Sequence, residues 1–104
     1  MNDVIETNAI RSVFGHHADR ILVNSTKSMH GHTLGAAGAI EAIATLLALE
    51  KGLIPPTANF IAPDPACNLN VVSGAAHHTD AEFALSNTFA FGGLNASIVL
   101  ARRR

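Results

Sequence analysis

Residues 24–52 read N24-S-T-K-S-M-H-G-H-T-L-G-A-A-G-A-I-E-A-I-A-T-L-L-A-L-E-K-G52, and this stretch decides the fold. It begins as a short polar loop holding Lys27 and His32, and then turns almost wholly apolar. Between Leu34 and Leu49 the only polar side chains are Glu41 and Thr45. A surface helix carries one apolar stripe and one polar face, whereas this segment is apolar on every side and is expected to be buried. Its alanines, with Gly35 and Gly38, let other backbones pack close. Glu50 and Lys51 mark its return to water, and Gly52 is placed to end it.

The flanking segments supply the other layers. Residues 2–15 read as an amphipathic helix with Ile5, Ala9, Ile10, Val13 and Phe14 as its stripe, Asn2 or Asp3 as cap and Gly15 as terminator. Ile21-Leu22-Val23 suits a buried strand entering the Lys27 loop, which gives an α/β order with the polar loop at the strand's carboxyl end. Pro55, Pro56, Pro63 and Pro65 punctuate a long connection, and 69–72 reads as a short edge strand. Residues 73–81 read as irregular. Residues 83–89 and 95–101 read as the strands of a hairpin joined through Phe91-Gly92-Gly93.

Composition narrows the function. A formal net charge of −1, 14% charged residues and no basic run speak against nucleic acid or an anionic membrane as partner. The Arg102–Arg104 end is too short to count and reads as a solvated tail. No apolar run is long enough to span a bilayer, and the start carries no secretory signal. One cysteine, Cys67, builds no disulfide framework, so a cytoplasmic setting is expected, and nothing around this thiol activates it. A chain of 104 residues holding a helix that needs cover on all sides is expected to be a piece of a larger fold.

The candidate chemistry lies in the loop, the helix and the hairpin tip. Glu41 inside the apolar helix needs a partner: either Lys27 pairs with it, or backbone amides satisfy it and Lys27 is solvated. His32 at the loop–helix junction is placed to serve a developing oxyanion or to be a structural imidazole. His30-Gly31-His32 lacks the further ligands of a metal site, so no metal is expected. Residues 89–95, F-A-F-G-G-L-N, read either as backbone amides and an aromatic face at a hairpin tip or as an ordinary tight turn.

These stretches resemble the β-ketoacyl-[acyl-carrier-protein] synthases, condensing enzymes with the thiolase fold. Residues 25–39 with Glu41 resemble the family's lysine–histidine motif, residues 86–95 its C-terminal gate loop, and residues 55–59 and 67–70 its connecting segment. Thr26–Met29 with Asn95-Ala96-Ser97 is more similar to the discrete bacterial and organellar enzymes than to modular polyketide synthases. The resemblance implies the C-terminal half of a thiolase-like α/β fold, with the hairpin in a mixed five-stranded sheet, over residues 1–104. It implies His32 as the histidine that binds the malonyl thioester carbonyl, Lys27 as the lysine acting through Glu41, and Phe91 as gate and oxyanion-hole donor. Phe89, Gly92 and Gly93 would line the substrate site, with Asn95 as structural support. The family's nucleophilic cysteine and first histidine belong to segments preceding Met1, and Cys67 stands in the wrong context to replace the nucleophile. The expected reaction is decarboxylative Claisen condensation in fatty acid biosynthesis, without cofactor, with the N-terminal half, acyl carrier protein and a second copy as partners. Alone, the chain is expected to be inactive. The alternatives are a non-catalytic partner resembling a chain-length factor and a truncated fragment. Two departures from the family pattern, His30 for a small or aliphatic residue and Leu94 for threonine, are not expected to abolish function.

Overall fold

The apolar positions of the first segment form helix α1 (Asn2–Phe14), in a computed structural model that describes residues 2–90 and 92–103. Asp3 lies inside the helix, where its carbonyl accepts the Thr7 hydroxyl at 2.7 Å. The expected stripe is only partly covered. Thr7 is buried and Ile10 and Phe14 are half-buried, while Ile5 and Val13 stand exposed, because the chain covers α1 on one side only. A 3-10 turn (Gly15–Asp19) follows and buries Ala18. Arg11 ties these pieces together, donating to Asp19 at 2.9 Å and to the Asn68 side chain at 2.9 Å.

Strand β1 (Leu22–Val23) leads into a single helical turn, α2 (Lys27–His30), where a plain loop was expected. A 3-10 turn (Leu34–Ala36) opens helix α3 (Ala37–Lys51). Gly52 ends α3 in the left-handed conformation, its N–H donating to the Ala48 carbonyl. Its carbonyl accepts Thr79 N–H at 2.9 Å, and a Cβ here would lie 2.9 Å from the Thr79 oxygen. Only glycine fits. That contact sets the pairing of β2 (Leu53–Ile54) with β4 (His77–His78), which falls in segments whose sequence gave no strand signal.

Strand β3 (Asn70–Val71) pairs with β1 in parallel, extended by Val72 N–H to Val23 at 2.8 Å. Strands β5 (Phe83–Ala90) and β6 (Leu94–Ala101) form an eight-residue antiparallel hairpin, with Gly92 and Gly93 at positive φ in its tip. The mixed sheet expected from the resemblance is therefore three separate two-stranded pairs among the described residues. Only the hairpin has a local connection that can build a long ladder. The two-residue strands pair across long separations, Leu22 with Asn70 and Leu53 with His78, so each short ladder must offset the entropy of closing a long loop.

Helix α3 packs on the hairpin face carrying Ser86, Thr88, Ala96 and Ile98, whose mostly small side chains let Gly38 approach and leave a cavity of about 180 Å³. The rest of α3 is not covered as expected. Ala37 and Leu49 are buried, but Ile43 is 59% exposed and Leu46 and Leu47 are about half exposed. Among the described residues no large side chain is fully buried, and Ala18, Ala37, Leu49 and Val72 are the buried apolar ones. No helix among them is long and apolar enough to cross a membrane.

So small a core predicts marginal stability for the chain alone. Its thermal transition should be broad, and it should bind a hydrophobic dye such as ANS at room temperature. A monodisperse monomer with a sharp two-state melt and no dye binding would contradict this.

Candidate active site

The loop between β1 and α3 is built as a bracket. Asn24 donates to the Pro55 carbonyl at 2.9 Å, Ser25 N–H to the Thr57 hydroxyl at 3.1 Å, and Ala58 N–H to the Ser28 hydroxyl at 2.8 Å. The proline-rich exit of β2 thus holds both ends of α2's approach, which fixes where Lys27 emerges. The proline-rich stretch was legible only as a connection. Its role as a clamp depends on contacts 30 to 32 residues apart.

Lys27 reaches α3 and its ammonium pairs with Glu41 Oε1. Of the two fates open to Glu41, the ion pair is the one found. The Glu41 side chain is 13% exposed and that of Lys27 33%, so the carboxylate is the more deeply sequestered partner. Glu41 Oε2 is buried with no hydrogen-bond partner among the described residues. A second carboxyl feels the same lysine. Burial and the charge of Asp3 hold Glu6 above the usual carboxylate range, with Lys27 pulling it back. Sequence reading did not single out Glu6, because the charge of Lys27, 21 residues away in the chain, acts on it only in the fold.

His32 is exposed, and its Nδ1 accepts Leu34 N–H at 3.1 Å. An accepting Nδ1 leaves the proton of the neutral ring on Nε2, the nitrogen free to donate outward. The donor is aimed by an unusual backbone: Leu34 has φ +51, a conformation that a branched side chain adopts at a cost of roughly 1–3 kcal/mol. Strain adjacent to a candidate catalytic group is where a reactive site keeps it.

The other candidates lie on the hairpin. Phe89 is 44% exposed and stands opposite Asn95 in the ladder; Gly92 and Gly93 form the exposed tip, and Asn95 is exposed beside it. Phe91 lies outside the described residues. The structure brings Lys27 to Glu41, and it brings the Ser86–Thr88 approach to Phe89 against Gly38, six residues beyond His32. Among the described residues no three His, Cys, Asp or Glu side chains gather to hold a metal, and Cys67 is a free, half-buried thiol at the end of a 3-10 turn. The site so drawn is a charge-anchored turn presenting one oriented imidazole N–H.

A synthase C-terminal domain is the class to which the fold belongs: residues 1–61 match the family described as beta-ketoacyl synthase, C-terminal domain, and the chain belongs to that family. It is 52% identical to nodulation protein E of Rhizobium sp. (strain N33) over 99% of its own length and 25% of that protein. It is 50% identical to 3-oxoacyl-[acyl-carrier-protein] synthase 2 of Synechocystis sp., over 93% of this chain and 23% of the relative. Among solved structures, the ishigamide ketosynthase/chain length factor superposes with a TM-score of 0.92 at 42% identity, covering 99% of this chain and 25% of that one. A type II PKS acyl-carrier protein in complex with its ketosynthase bound to the hexaketide gives 0.91 at 40% identity, covering 94% and 24%. The fold is accordingly that of the C-terminal part of the thiolase-like ketosynthases. The chain spans about a quarter of the length of the relatives it matches.

Proposed function

We propose that this chain is the C-terminal domain of a 3-oxoacyl-[acyl-carrier-protein] synthase of fatty acid biosynthesis, an acyltransferase that needs the rest of the synthase to turn over. The observation that carries the reading is His32, with Nδ1 engaged by Leu34 N–H and Nε2–H left to donate, beside a lysine anchored on Glu41.

In this reading a malonyl thioester on acyl carrier protein lies with its thioester carbonyl at His32 Nε2–H. The bond to the carboxylate breaks, carbon dioxide leaves, and the electron pair passes into an enolate whose oxygen accepts from His32. The enolate carbon attacks the acyl thioester carried by the cysteine of the remaining synthase. A carbon–carbon bond forms and the cysteine thiolate leaves. Lys27, held by Glu41, keeps positive charge near the departing carboxylate, and Phe91 with Phe89, Gly92 and Gly93 forms the gate through which the acyl chain enters. Asn95 braces that gate. The reaction calls for no metal or organic cofactor. Acyl carrier protein and a second copy of the synthase are the partners, and the single cysteine supports a cytoplasmic setting.

The test combines the chain with a separately expressed polypeptide carrying the nucleophilic cysteine and first histidine, and follows condensation that depends on malonyl carrier protein. Turnover supports the synthase. A stable complex without turnover favours a non-catalytic partner like a chain-length factor, and failure to associate favours an inactive fragment.

A further inference from the structure

We infer that His30 is a positioning residue, a strap that fixes the turn from which both Lys27 and His32 project; this rests on the function proposed above. The His30 ring is bonded at both nitrogens. Nδ1 lies 2.8 Å from the Gly31 carbonyl, and Nε2 lies 2.8 Å from the Thr26 hydroxyl. A carbonyl oxygen only accepts, so Nδ1 carries the hydrogen, and in the neutral ring Nε2 accepts from Thr26. His30 is thereby held in the tautomer opposite to that of His32, whose Nδ1 accepts from Leu34 N–H.

The two anchor points give the strap its consequence. Thr26 immediately precedes Lys27, and Gly31 immediately precedes His32. One imidazole therefore links the backbone neighbours of both site residues across α2, a helical turn of only four residues. Backbone bonds to the Thr26 and Lys27 carbonyls close this turn and Ser28 ties its outer side to Ser25 and Ala58, whereas Thr26 at its N-cap makes no side-chain bond to the turn's backbone and is free for His30. Gly31 has φ +82 and ψ 171, a region open essentially to glycine alone, so it is the link that sets the direction of the chain into His32. The His30 bond to its carbonyl fixes that link. Protonation of the ring would reverse the Thr26 bond rather than break it, so the strap holds in both charge states.

Two measurements test this. In the chain labelled with 15N-histidine and assembled with the rest of the synthase, imidazole nitrogen spectra should show hydrogen on Nδ1 of His30 and on Nε2 of His32. His30 in the Nε2–H form that free imidazoles prefer overturns the strap. In the assembled enzyme, His30→Ala should lower kcat for malonyl decarboxylation by roughly threefold to tenfold with KM unchanged, the cost of losing solvent-exposed hydrogen bonds that orient the turn. His30→Asn, whose amide N–H stands where Nδ1–H does, should recover most of that loss. Parental kcat in His30→Ala, or His30→Asn no better than alanine, overturns the inference. Should the parent enzyme itself fail to decarboxylate, the functional reading falls, and the tautomer measurement still judges the strap.

Discussion

His32→Ala is expected to lower malonyl-thioester decarboxylation by the assembled synthase about 10²–10³-fold, the usual cost of removing one donor aimed at a developing oxyanion. The effect should be confined to that step. Among the described residues His32 accepts only a backbone N–H and is otherwise exposed, so its removal should leave the stability of the fold within about 0.5 kcal/mol. Acyl transfer to the cysteine, which precedes decarboxylation, should proceed at its parental rate. His32→Gln offers a sharper variant, since its amide N–H reaches roughly where Nε2–H stands and should retain part of the rate. Single-turnover decarboxylation beside acylation of the cysteine, with melting curves for each variant, makes the comparison. Equal losses in acylation and decarboxylation, or a large fall in melting temperature, would reassign His32 to a structural role.

What could be read from residues alone divides along a physical line. Gly52 was legible as a helix end because a left-handed cap leaves a local signature, and the hairpin was legible because alternation and a glycine tip are both local. The Glu41 partner was legible as a choice between two, because burial of a carboxylate demands compensation without naming its source. Pairing of β2 with β4 was not legible. Two-residue strands have no periodicity, and His77-His78 carries no β signal; the pairing is fixed by Thr79 meeting Gly52 across 27 residues. The exposed side of α3 shows the converse case. Ile43, Leu46 and Leu47 announce burial by composition, yet they stand exposed, because none of the described residues packs over that side of α3. Leu34 was unreadable for another reason: nothing in a leucine forecasts a positive φ, which only the turn around His32 imposes.

The other large effect falls on the Lys27–Glu41 pair, and its sign depends on which partner is removed. Lys27→Met should destabilise the assembled synthase by about 3–5 kcal/mol, because it strands a carboxylate that is already cut off from water. The Glu41 side chain is 13% exposed and Oε2 has no partner among the described residues, so the carboxylate has no second donor there to turn to. Glu41→Leu should cost less. The Lys27 side chain is 33% exposed, and an ammonium on a flexible stem can swing its charge into solvent. The double variant Lys27→Met with Glu41→Leu should return close to parental stability, since well-packed apolar side chains replace a buried pair at little net cost. Urea unfolding of the three variants beside the parent, with unchanged slopes, supplies the cycle. A Lys27→Met variant within about 1 kcal/mol of the parent would mean that Glu41 reaches water or takes up a proton, and the pair would then not be what anchors the turn. Malonyl decarboxylation by the double variant separates the two roles: a folded protein with lost decarboxylation shows that the pair is kept for its charge beside His32, because its contribution to folding can be replaced by carbon.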